Sequence, residues 1–128
     1  MTLSNYLKNH IINHMLRNQA FTPPTTLYLA LFTVAPTAAG GGTEVAGGAY
    51  ARQVIALTAP STPGVTDNTA LITFPTPSAN WGTITHGGVF DASTAGSMLL
   101  FGALVQPKVV SSGGSFRVGI GDFDFSLA

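Results

Sequence analysis

The sequence predicts a mainly β fold, an antiparallel β-sandwich or jelly-roll-like barrel, with one N-terminal α-helix. Three observations carry that expectation. Short apolar and β-branched runs recur from Thr26 onward, with turn signals about every 8–12 residues. The last of them alternate with period two: Phe116, Val118 and Ile120, then Phe123, Phe125 and Leu127, are separated by polar or small residues. Only the start of the chain has helical periodicity, so no second helix is available as the crossover an α/β fold requires.

The helix is read from SNYLKNHIINHMLRNQA, where Leu3, Tyr6, Leu7, Ile11, Met15 and Leu16 form an apolar stripe expected to be buried. Ser4 or Thr2 can cap its start, Arg17 complements the C-terminal dipole, and FTPP from Phe21 stops it. TLYLALFT, from Thr26 to Thr33, reads as a strand buried on both faces and hence central. The stretch from Ala35 to Ala49 is dominated by Gly, Ala and Thr; lacking bulky side chains, it is expected to be mobile or to drape over a neighbour.

YARQVIALT, TALITF, WGTITHGGVFD, SMLLFGALV, KVVSS, SFRVGI and DFDFSLA then read as strands joined by turn-rich connections, with Pro107 separating SMLLFGALV from KVVSS. The expected organisation is one domain over 1–128, with the helix in 1–20 and the sandwich in 26–128.

Composition narrows the function classes. Charged residues make up 8% of the chain, against about 25% in soluble domains, while the apolar fraction is 45%. Eight Phe, three Tyr and one Trp exclude a disordered chain. No apolar run approaches the roughly 20 residues of a membrane-spanning helix, and the N-terminal pattern is not that of a secretory signal. Five Lys and Arg, spread singly, give no electrostatic basis for a nucleic-acid groove. The absence of cysteine removes disulfides and thiolate metal sites. What remains is a surface of Thr, Ser, Asn, Gly and Ala, partly covered by partner subunits. A net charge of zero favours such association, and a homo-oligomer is expected.

The candidate chemistry is thin. His10 and His14 have the spacing of a helical metal chelate, but Ile11 stands where a zinc protease has Glu and no third ligand lies nearby. His86, Asp91 and Ser78 or Ser93 have the composition of a hydrolytic triad without a GxSxG elbow. Asp122 and Asp124 share a strand face and have the residue types of a calcium site or a glycosidase pair, yet the simpler reading is a solvated or interface face. The glycine stretches match neither GxxxxGK[ST] nor GxGxxG. No catalytic residue, metal or cofactor is assigned.

Three segments are distinctive together: TLYLALFT, GGAYARQ and WGTITHGGVFD. With the N-terminal SNYLKNHIINHMLRNQAFTPP and the GD-containing β terminus, they make nearly the whole chain resemble a family of small tailed-bacteriophage virion proteins, labelled phage tail fibre protein or capsid decoration protein. Two departures stand out: Gly88 replaces a bulkier apolar residue before Val89, and the Ala59–Asp67 connection is short.

The resemblance implies a non-enzymatic virion component, made in the host cytoplasm. No repeat or heptad run supplies the length of a fibre, so a capsid decoration protein is expected first: a cement protein, preferably trimeric, on the capsid surface bridging major capsid protein subunits. A tail fibre or baseplate component comes second, and a carbohydrate-binding module, with Trp81 as its platform, third. The expected contact residues are Tyr6, His10 and His14 on the helix, Gly40, Gly41, Gly42 and Glu44 in the loop, and Trp81.

Overall fold

The computed structural model describes residues 1–127. Ten strands and one helix follow one another: β1 (Thr2–Leu3), α1 (Asn5–Ile11, prolonged by a π-helical turn over Ile12–Leu16), β2 (Leu27–Val34), β3 (Thr43–Glu44), β4 (Gln53–Ile55), β5 (Val65–Asp67), β6 (Ile72–Thr73), β7 (Gly82–Phe90), β8 (Met98–Val110), β9 (Arg117–Val118) and β10 (Asp124–Ser126). Every strand pair is antiparallel. The main sheet has the order β1-β8-β7-β2-β3, with β4 also on β2; β5–β10 and β6–β9 form two-stranded ribbons.

The central position of β2 follows from its composition. Leu29, Ala30, Leu31 and Phe32 are all buried, because β7 lies along one edge and β3 and β4 share the other. One face of the sheet carries Leu29, Leu31 and Val89 into a core completed by Ile55, Ile72, Phe74, Phe116 and Phe123 from β4 and the ribbon segments. A line of aromatic contacts runs through it: Trp81 against Tyr50 (5.5 Å), Tyr50 against Phe74 (6.2 Å), Phe74 against Phe116 (5.6 Å). On the other face Phe32 and Phe90 stack at 6.2 Å. Gly88 lies between them, and a Cβ there would stand 3.1 Å and 3.3 Å from the two rings. That contact explains why a bulkier residue is missing before Val89.

Three expectations are corrected. The helical segment does not fill 1–20: Thr2 and Leu3 pair with β8, and Ser4, whose Oγ accepts the Leu7 N–H at 3.1 Å, starts the helix. Its stripe is not buried as a whole; Leu3 and Leu7 pack on the core, whereas Met15 and Leu16 are 70% and 78% exposed. Pro107 does not divide a strand. β8 runs through it, because the β7–β8 register slips between Ile84/Lys108 and His86/Ala103, so the intervening residues bulge outward where a missing N–H breaks no ladder bond.

Asn68 is the buried polar residue that fastens the C-terminal segment to the rest. Its side chain donates to Ala70 O (2.8 Å) and Gly119 O (2.9 Å) and accepts the Phe123 N–H (3.0 Å). Asn68 is 1% exposed, so its own amide has no water to take the place of these partners, and Phe123, whose N–H it accepts, is buried as well. Asn68→Ala is expected to destabilise the fold by about 3 kcal/mol, since it strands buried donors and acceptors. Urea unfolding followed by Trp81 fluorescence measures this; a loss below about 1 kcal/mol contradicts the role assigned to Asn68.

Candidate functional site

The most organised polar cluster is built from the GGTEVAGGAYARQ segment. Glu44 is placed by the β2–β3 pairing opposite Phe32. Arg52, just before β4, grips its carboxylate with two bonds, Nε to Oε2 and Nη2 to Oε1, each 2.8 Å. Tyr50 donates its O–H to Glu44 Oε2 (2.7 Å) and accepts the Leu31 N–H (3.0 Å). The remaining guanidinium nitrogen, Nη1, donates to Ala92 O and Ala95 O, both at 2.9 Å. The guanidinium also lies 3.8 Å from the centre of the Phe90 ring. One side chain therefore holds β3, the lead into β4 and the β7–β8 turn together.

The glycine-rich stretch is correspondingly ordered within the chain, not free. Thr37 and Gly40 exchange backbone hydrogen bonds at 2.8 Å, and the Asn5 N–H donates to Ala38 O at 2.8 Å, so the loop reaches from the end of β2 to the start of α1. Gly42, at φ +74°, is required: a Cβ would lie 2.7 Å from Val34 O and Pro36 N. Between this loop, α1 and the β7–β8 turn is a shallow hollow of about 480 Å³, floored by Phe32, Phe90, Glu44 and Arg52.

The other singled-out residues are dispersed. His10 stacks on Phe21 at 4.4 Å and meets Tyr6 edge-on at 4.4 Å, while His14 Nδ1 bonds Gln19 O at 3.0 Å. Both imidazoles thus fasten the FTPP segment to the helix. Trp81, expected on an exposed tip, is 6% exposed, and its indole N–H donates to Gly48 O at 2.9 Å. It has no ring face to offer a sugar because Tyr50 and the Gly48 turn already cover it. His86 bonds Thr85 (2.9 Å) and Asp91 accepts the Ser97 N–H (2.7 Å), so the supposed triad partners are engaged elsewhere. Asp122 and Asp124 are exposed and flank buried Phe123, with Asp124 directly opposite Asp67. Among the described residues no group of three metal-ligating side chains is assembled, and no helix is long and apolar enough to cross a membrane.

A family model described as podophage GP4 fiber I protein gp80 matches residues 2–126. The chain belongs to this gp80 fibre family. It is therefore a structural protein of the phage virion. A search of curated proteins finds no match. In this gp80-family chain, Arg52 and Tyr50 are the site residues missed by sequence reasoning. The YARQ motif was legible, but that Tyr50 and Arg52 both turn onto the single glutamate depends on the long-range pairing of β2 with β3 and β4.

The electrostatics fit a structural clamp. Burial alone would raise the Glu44 carboxyl, but hydrogen bonds from Arg52 and Tyr50, with the Arg52 charge, outweigh it and hold it below its ordinary 4.5. Burial, then the bond to Glu44, raises the Tyr50 phenol, which stays a donor. A carboxyl depressed in the folded state stabilises above its ordinary pKa, and that contribution is lost as pH falls through the folded value. The gp80-family fold is thus expected to lose stability on acidification below about pH 4.5, with Glu44→Gln flattening that slope. At neutral pH Glu44→Gln should cost about 2 kcal/mol, discounted from a fully buried pair because Glu44 is 25% exposed. Chemical denaturation at a series of pH values checks both; an unchanged acid slope in the variant contradicts the clamp.

Proposed function

We propose that this chain is a non-enzymatic fibre subunit, used in several copies and buried against other virion proteins in the assembled particle. The observation that carries the reading is the end of the helical segment, where Ile12, Met15 and Leu16 are 49%, 70% and 78% exposed. Clustered exposed apolar side chains mark contact surfaces. Tyr6, His10 and His14 lie on the same helix, and Gly40, Gly41 and Gly42 edge the neighbouring hollow; both belong to the proposed contact region. Glu44 also lines that hollow, whereas Trp81 is buried in the core and is not among its walls.

The absence of catalysis is part of the proposal. The polar cluster around Arg52 spends its donors on carbonyls and one carboxylate, and its phenol is held protonated, which leaves no nucleophile or free base. A second reading, a cement protein on the capsid surface bridging major capsid protein subunits, is favoured by the chain's shape: a small folded unit with no repeat. The family description favours the fibre.

Incubation of purified protein with empty heads and with isolated tails separates the two. Retention on tails and not heads is the expected outcome; retention on heads alone replaces the fibre reading with cement. His86→Ala and Asp122→Ala are expected to leave attachment unchanged, and the wild type to turn over ester and glycoside substrates at background rate. A rate abolished by either substitution in a folded protein overturns the non-enzymatic assignment.

A further inference from the structure

The helical segment ends in a turn that is fixed by the chain that follows it and yet leaves apolar residues in solvent. His10 stacks on Phe21, the Gln19 N–H donates to Asn13 O at 2.9 Å, and the His14 ring bonds Gln19 O at 3.0 Å. Asn18, at φ +54°, turns the chain into this return. Ile12, Met15 and Leu16 are nevertheless exposed. Their spacing, i, i+3 and i+4, is that of the anchors with which an amphipathic helix enters a hydrophobic groove. Because the backbone that presents them is already ordered, docking costs little further chain entropy.

The charges around these anchors have one sign. Lys8, four residues before Ile12, and Arg17, next to Leu16, are both exposed, and residues 1–43 contain no acidic side chain. Arg17 donates to the neutral Asn13 Oδ1 at 2.8 Å, and the one ion pair among the described residues is Arg52–Glu44. A second copy does not offer a carboxylate in the right setting, because the five it has are dispersed. Glu44 is held by Arg52, and Asp91 accepts the Ser97 N–H within reach of the same guanidinium's charge. Asp122 and Asp124 share their groove with Lys108 and Arg117, and Asp67 lies in the β5–β10 ribbon. Among the described residues none of these makes a purely acidic rim around an apolar hollow.

We propose that Ile12, Met15 and Leu16 dock into an apolar groove with an acidic rim on a different virion protein, where Lys8 and Arg17 meet the rim. Met15 adds an unbranched, adaptable side chain to the two branched anchors. An anionic membrane surface selects helices richer in Lys and Arg and carrying Trp or Phe on the apolar face, which this helix lacks. The proposal rests on the assembly reading and gives the chemistry of its partner.

The test follows binding of the full chain to isolated tails that lack it, or to heads should heads alone retain it, with both rates measured as salt is raised. Leu16→Ser is expected to speed dissociation about 30-fold, as loss of a central anchor does. Met15→Ser replaces it if Trp81 fluorescence shows that variant unfolded. Lys8→Gln with Arg17→Gln is expected to slow association about tenfold and to remove most of its salt dependence. Lys108→Gln with Arg117→Gln removes the same charge elsewhere and is expected to change neither rate. Helix variants that bind like wild type keep the assembly reading and overturn this one; a wild type retained on neither particle overturns both. The inference also fails if the Lys108 and Arg117 pair slows association as much as the helix pair, or if Leu16→Ser breaks up a wild-type oligomer in sedimentation. It fails as well if wild type floats with vesicles of anionic phospholipid and the helix variants do not.

Discussion

The Arg52 guanidinium is the constraint on which the sheet's loop-covered face depends. In a chain with 8% charged residues, it forms the one ion pair among the described residues and also accounts for the carbonyls of Ala92 and Ala95. Removing a charge from water is costly unless geometry and hydrogen bonding repay it. Here they do: the fork of Arg52 meets both Glu44 oxygens, Tyr50 adds a third bond, and Phe90 lies beneath the guanidinium plane. The glycine-rich connection can then be short of bulky side chains and still be held, because its order comes from what Glu44 binds.

The sequence conveyed those parts of the fold that depend on local pattern. β2 was legible because a run such as LYLALF, apolar at successive positions, has no solvent face to give. The alternation around Phe123 was legible for the same reason: Asp122 and Asp124 are exposed on either side of a buried ring. Ser4 as the helix cap follows from its hydroxyl and its position. The failures share a cause. A helical stripe states that one face is apolar without stating what covers it, so Met15 and Leu16 looked like core. Glycine content states that the backbone is permissive, yet Gly42 is used for a fixed close approach to Pro36, which no composition reveals. Trp81 looked like a lone platform because its partners, Gly48 and Tyr50, lie more than thirty residues away in the chain.

Low charge has a different meaning inside and outside this fold. Inside, the few polar groups are fully engaged, as Asn68 shows with three side-chain hydrogen bonds to distant backbone. Outside, the remaining charges are few and of both signs: Lys8 and Arg17 on the helix segment, and Asp122 and Asp124 around one groove with Lys108 and Arg117. A surface so poor in charge, with a formal net charge of zero, gives the free chain little electrostatic protection against association.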